Sequence, residues 1–262
     1  MITIAIIFAS LIVLFFVLRY FAKSVSKKKI SYKDRVDLET NLEIALNKDV
    51  ASNYHTRALT REKKKDYKGA VTDITELLKK DSSNINLYYK RAVNKFKSAD
   101  YRGALNDTNE VIKNNPDDMY AFYYRGLSNL KLSNFMAAFN DLTTAISFGL
   151  GEMDAYLNRG IAELEIDKYS EALEDFNFYL SRVRDDKEIY YYRGVANSKC
   201  GNLNNALQDF NIAIELNPNN EKAFFERAFL KKHLNNLEGY RIDLQTAYAK
   251  GNLQAYHFLK EA

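Results

Sequence analysis

The sequence predicts an all-α protein: six helical hairpins in tandem with capping helices, preceded by a single membrane-spanning helix. Three observations lead there. An arginine followed by glycine or alanine returns every 34 residues, at Arg57, Arg91, Arg125, Arg159, Arg193 and Arg227. Only two prolines and ten glycines occur in 262 residues, too few for a loop-rich or sheet-dominated chain of this length. The chain also begins with an apolar run that carries no charge before Arg19.

That run, Ile2–Leu18, reads ITIAIIFASLIVLFFVL and continues past Arg19 through Tyr20, Phe21 and Ala22. As a helix, residues 2–22 span roughly 30 Å, the thickness of a bilayer core. Arg19 and Tyr20 suit the interface, where a long cationic stem snorkels and an amphipathic ring is at home. A cleaved secretory signal is the competing reading. It fits less well, because no basic segment precedes the apolar run and no small-residue cleavage site follows. Residues 1–22 are therefore read as a retained anchor in the lipid bilayer. Residues 19–35 hold seven bases and one acid (Asp34), a net of +6, and residues 23–35 form a basic juxtamembrane linker. By the positive-inside rule the N-terminus faces out and the body faces the cytoplasm. The remaining 31 bases and 33 acids of residues 36–262 give the body a net charge of −2, which argues against a nucleic-acid binder.

The 34-residue period carries more than arginine. An aromatic stands three positions before each one: Tyr54, Tyr88, Phe122, Tyr156, Tyr190 and Phe224. Alanine stands thirteen positions after the first five (Ala70, Ala104, Ala138, Ala172, Ala206), and Tyr240 replaces it in the sixth. Turn-prone pairs such as Gly201–Asn202 divide each unit into two helices, A and B, and Pro116 and Pro218 end the second helix of their units. Small residues on both helices allow close approach, and a single pair has too little apolar surface to stand alone, so stability comes from stacking on neighbours. Leu38, Leu42, Ala45 and Leu46 fall on one helical face and place an N-terminal capping helix over residues 36–50. Residues 255–262 are expected to cap the other end.

This helix–turn–helix pattern resembles the tetratricopeptide repeat, whose period is the same. Lys187–Asn220 is the best match, with Tyr190, Gly194, Ala206, Phe210, Ala213 and Pro218 at the signature positions. The resemblance covers residues 51–254 in six in-phase units. Tyr179 and Tyr240 depart from it, each standing where a small residue is expected. It implies an α-solenoid in which helix A lines a concave groove. Its inward positions would be His55, Tyr89, Tyr123, Leu157, Tyr191 and Phe225 (fifth of each unit), and Leu59, Val93, Leu127, Ile161, Val195 and Phe229 (ninth). Phe96, Leu130 and Leu164 join them at the twelfth. The thirteenth positions, Lys63, Lys97, Lys131, Glu165, Lys199 and His233, give a largely basic rim. The tyrosines read either as a contact strip for a protein or peptide partner or as filler between stacked helices. Some relatives grip a chaperone C-terminus with a lysine–asparagine clamp, and no unit here has that pair.

Each arginine is matched by an acid 16 residues on: Asp73, Asp107, Asp141, Asp175, Asp209 and Asp243. The pattern implies one structural ion pair per unit, within a repeat or across to the next. The opposing reading, an arginine ladder for anionic ligands, is weakened by the partner acid in every unit.

No phosphate-binding glycine loop, His-Glu-x-x-His or paired-cysteine motif is present, so no catalytic residue, metal ligand or cofactor site is assigned. His55, His233 and His257 lack ligand spacing. The single cysteine, Cys200, sits at a turn, and the sequon at Asn106–Thr108 falls inside an expected helix. The functional reading is a membrane-anchored, non-enzymatic scaffold that binds a partner protein or peptide in its groove. The alternative is a permanent subunit of a membrane secretion, assembly or import complex, laid out like an import receptor.

Overall fold

A computed structural model describes residues 50–183 and 186–260. The expected anchor, basic linker and N-terminal capping helix lie outside the described residues. Among the described residues there are thirteen α-helices and no strand. None of these helices is long and apolar enough to cross a membrane. The chain divides into two compact units, the first ending at Ser82. In the first, α1 (Val50–Lys63) and α2 (Tyr67–Lys80) form one hairpin. The second unit holds five: α3 (Ile85–Lys97) with α4 (Tyr101–Asn114), α5 (Met119–Lys131) with α6 (Phe135–Ser147), and α7 (Met153–Glu165) with α8 (Tyr169–Leu180). Then come α9 (Ile189–Lys199) with α10 (Leu203–Leu216), and α11 (Glu221–His233) with α12 (Leu237–Ala249), followed by the short α13 (Gln254–Leu259).

The turn inside each hairpin is the same device. One residue adopts left-handed backbone, at Lys65, Ala99, Ser133, Asp167, Gly201 and Asn235, with φ between 58° and 80°. The next residue donates its N–H to the carbonyl five positions back, as in Asp100 N to Lys95 O at 2.8 Å and Asn202 N to Asn197 O at 2.8 Å. This is the Schellman closure of helix A. In several repeats the same residue then caps helix B: Asp100 accepts from Gly103 N at 2.9 Å and Asn236 from Gly239 N at 2.8 Å. Only Gly201 takes the left-handed conformation without a Cβ penalty.

Close approach of helix A to helix B follows from the small residue after each arginine. A Cβ on Gly160 would lie 2.6 Å from the Phe176 ring, and one on Gly194 2.8 Å from the Phe210 ring. Both rings are fully buried. Where helix A carries Ala58, Ala92 or Ala228, the residue at the same 16-position offset is Ile74, Thr108 or Leu244, and all three are buried. Phe176 and Phe210 fill the space that glycine leaves in two repeats, and the buried Leu142 does so beside Gly126, where a Cβ would lie 2.8 Å from it.

The core of the second unit is spread along the array. One cluster joins Ala172, Phe176 and Tyr179 of α8 to Ile189 and Ala196 of α9, and another joins Ala206, Phe210 and Ala213 of α10 to Ala223 and Leu230 of α11. Helix B of one repeat and helix A of the next share each cluster, so each hairpin depends on its neighbour. The two tyrosines that depart from the repeat pattern are both accommodated. Tyr179 is buried and donates from its hydroxyl to Asp186 Oδ2 at 2.8 Å, tying down the loop before α9. Tyr240 packs edge-on against Phe229 at 5.7 Å. The terminal cap begins one residue earlier than expected: Ala255 of α13 is buried and Phe258 lies 4.8 Å from the Phe229 ring.

Candidate binding surface

The repeat arginine and aspartate are brought together inside each hairpin. Arg91 donates through Nε and Nη2 to Asp107 at 2.8 and 2.7 Å, and Arg159 to Asp175 at 2.7 Å for both. Arg193 and Asp209 make the same two-pronged contact at 3.0 and 2.7 Å, and Arg227 and Asp243 at 2.8 Å for both. Arg57 pairs with Asp73 and Arg125 with Asp141 in the same way. The hydrogen bonds to aspartate push the Arg91 and Arg159 guanidinium groups above their ordinary range. The aromatic three positions earlier lies against the guanidinium, from Phe122 at 5.0 Å to Tyr190 at 5.7 Å, a cation–π contact in every repeat. The remaining nitrogen, Nη1, reaches helix B of the preceding repeat: Arg125 to Asn109 (2.9 Å), Arg193 to Asn177 (3.0 Å) and Arg227 to Asn211 (2.6 Å). One guanidinium therefore fixes the register within its hairpin and, in these three repeats, the register to the hairpin before it.

A second partner of the aspartate went unread in the sequence. Four residues after each arginine stand Arg61, Lys95, Asn129, Glu163, Asn197 and Lys231. Five of these donate to or pair with the aspartate of their repeat: Arg61 to Asp73, Lys95 to Asp107 and Lys231 to Asp243 at 2.8 Å, Asn129 to Asp141 at 3.0 Å, and Asn197 to Asp209 at 2.9 Å. Glu163 is the exception. It is 4% exposed, its Oε2 has no hydrogen-bond partner, and Arg159 Nε is 3.9 Å from Oε1. Burial first, then the Asp175 charge, pushes its carboxyl up to about 8. Variation in residue type had hidden this position; its constant spacing from the arginine was the available signal.

The expected groove residues fall into two groups. Tyr89, Tyr123, Tyr191 and Phe225 are half-buried, as are Val93, Val195 and Phe229. Leu127 is buried and belongs to the packing, which corrects its place among the open contact positions. Lys97 and Lys131 lie exposed at the ends of α3 and α5. Burial raises the hydroxyl pKa of Tyr89, Tyr123 and Tyr191. Their rings interlock with tyrosines at the next position: Tyr123 with Tyr124 at 5.3 Å, Tyr89 with Tyr124 at 6.1 Å, and Tyr191 with Tyr192 at 5.3 Å. These tyrosines therefore both pack and present surface.

Three adjoining hollows open on helix A at the last two repeats. Glu188, Tyr191, Tyr192, Glu221 and Lys222 line the first. Tyr191, Glu221, Phe225 and Glu226 line the second, of about 390 Å³. Phe225, Phe229, His257 and Phe258 line the third, of about 490 Å³. Shared residues, Tyr191 between the first two and Phe225 between the last two, make them one trough. His55, His233 and His257 are exposed, and no cluster able to hold a metal ion occurs among the described residues. Cys200 is exposed. Thr108 of the sequon is buried, its hydroxyl donating to Ala104 O at 2.9 Å.

Two family models, each described as tetratricopeptide repeat, match residues 89–149 and residues 188–220. The chain carries tetratricopeptide repeats. Solved structures share the fold. YrrB, described as a TPR protein with an unusual peptide-binding site, is 17% identical over 72% of this chain and 98% of its own, with a TM-score of 0.61. MamA from Desulfovibrio magneticus RS-1 is 17% identical over 66% of this chain and 97% of its own, with a TM-score of 0.56. At these identities the likeness shows the fold alone. A comparison with curated protein sequences gave no match.

Proposed function

We propose that this tetratricopeptide-repeat protein is a non-enzymatic scaffold that binds a partner protein or peptide along the helix A face. The observation that carries this is the set of half-buried aromatic side chains at the fifth position of four of the six repeats, Tyr89, Tyr123, Tyr191 and Phe225, with Leu157 between the second and third of them, opening into hollows at the last two repeats. Rigid aromatics with part of the ring exposed supply contact area at low entropic cost. The arginine ladder, the other repeated chemistry, is occupied by its own aspartates. The peptide-binding site named for YrrB supports the reading by analogy of fold.

The proposal extends to the membrane. The uncharged run of residues 2–18, continued past Arg19 to Ala22, and the +6 charge of residues 19–35 favour an anchored protein with its repeats on the cytoplasmic side. A permanent place in a membrane complex is the second form of this reading. Capture from detergent-solubilised membranes tests the scaffold: the Tyr89→Ala/Tyr123→Ala variant should lose at least about tenfold of the partner recovered by the parent. Because both rings pack on Tyr124, its melting curve must be matched to the parent's first. A folded variant that recovers every partner would place binding elsewhere. A reporter active only in the cytoplasm, fused after Ala262, should work; activity of an exported reporter alone would reverse the topology.

A further inference from the structure

We infer that the trough over the last two repeats is a subsite for a cationic side chain followed by an aliphatic one, as in an Arg–Leu or Lys–Leu segment of a partner protein. This rests on the scaffold reading and names the chemistry of one stretch of that surface. Three carboxylates face the trough, Glu188, Glu221 and Glu226, against one lysine, Lys222. None of the three makes an ion pair among the described residues. Glu226 is half-buried, and burial raises its carboxyl above the ordinary range although Lys199 pulls the other way. A partly desolvated carboxylate that is not held in an ion pair stabilises an incoming cation more than a fully solvated one does.

The walls between the carboxylates are aromatic. Tyr191 and Phe225 line the same hollow as Glu221 and Glu226, so a guanidinium or ammonium seated there meets aromatic rings as well as acids. Beyond Phe225 the trough changes character. Phe225, Phe229 and Phe258 stand within 4.8–5.9 Å of one another and line the larger, open hollow together with Gln254 and the exposed His257, with no carboxylate, lysine or arginine among its lining residues. An aliphatic side chain fits there at roughly 25 cal/mol per Å² of apolar surface removed from water. The order is thus fixed: charge towards α9, apolar towards α13. An acidic peptide would set its charges against Glu221 and Glu226, and like charges without partners are rejected.

The test uses the purified full chain in mild detergent and fluorescein-labelled peptides read by anisotropy. One peptide alternates arginine and leucine, a second has glutamate for arginine, and a third has serine for leucine. The arginine–leucine peptide should bind at least about tenfold more tightly than either counterpart. Glu221→Gln/Glu226→Gln should weaken it at least about tenfold without shifting the melting curve, and Glu226→Lys should raise affinity for the glutamate–leucine peptide. Equal binding of the arginine and glutamate peptides, or full binding by the glutamine variant, overturns the cationic assignment. If both leucine peptides bind and Phe229→Ser abolishes both, the cationic class falls and the groove stands. If no peptide binds while Tyr89→Ala/Tyr123→Ala still loses its captured partner, this subsite falls and the scaffold reading survives.

Discussion

Glu163→Gln should stabilise the protein above neutral pH and leave it nearly unchanged at about pH 4.5. Glu163 is the one residue at its repeat position that offers no permanent donor to the aspartate of helix B, and it is buried beside Asp175. Burial and Asp175 raise its carboxyl from 4.5 to about 8; Glu171 adds to this, while Arg159 and Lys168 oppose it. Lys168 Nζ sits over the Phe139 ring at 4.1 Å, on helix B of the preceding repeat. The folded chain therefore keeps a proton that the unfolded chain gives up between pH 4.5 and about 8. With more protons bound in the folded state, stability falls as pH rises through that window and levels off above it. A displacement of that size corresponds to about 5 kcal/mol at ~1.4 kcal/mol per pH unit. Local relaxation and water reaching the site on ionisation reduce it, so a loss of about 2 kcal/mol is expected. Glutamine keeps the shape, cannot ionise, and places a donor where Asn129 and Asn197 carry theirs. Urea unfolding of parent and variant, followed by circular dichroism from about pH 4.5 to about 9, gives the difference directly and cancels other titrating groups. Parallel curves would show that Glu163 is ionised in the folded protein throughout and would refute the argument.

Three further substitutions probe the repeat. Replacing Arg159 by alanine should destabilise by about 2–4 kcal/mol by stranding Asp175, and the Arg159→Ala/Asp175→Ala double variant should cost less than the sum of the singles in a thermal-unfolding cycle. Gly160→Ala should cost about 1–3 kcal/mol because its Cβ meets the buried Phe176 ring, and Phe176→Leu should recover part of that loss, as the Ala228 and Leu244 combination in the last repeat implies; denaturant midpoints report both. Thr143 stands where Asn109, Asn177 and Asn211 accept from the arginine of the following repeat, and its hydroxyl is buried without a partner. Thr143→Asn should therefore raise stability by about 1 kcal/mol, measured as a shift in the urea midpoint, and no shift would show that Arg159 Nη1 is already satisfied.

Much of the hairpin array was legible because its determinants are local and periodic. The arginine at every 34th residue, the small residue after it and the aspartate 16 positions on place helix A, helix B and their offset without reference to distant parts of the chain. The alanine pattern marks the close approach of the two helices and the two prolines mark helix ends for the same reason. The turn residue with left-handed backbone was harder to see, because lysine, alanine, serine, aspartate and asparagine hold that conformation alongside one glycine. The hydrogen bond of the Schellman closure, not the side chain, selects it.

By itself the sequence determined the all-α class, the repeat and its register, and the absence of recognisable catalytic motifs, because each follows from residue type at a fixed spacing. The tertiary structure alone decided which carboxylate each guanidinium grips and that its third nitrogen crosses to the preceding repeat at Arg125, Arg193 and Arg227. It also decided that Leu127 is packing, that Glu163 is buried beside an acid, and that Tyr191, Phe225 and Phe258 line one trough. These depend on distances between residues 12 to 67 positions apart, and such distances are set by helix packing, which sequence spacing does not encode.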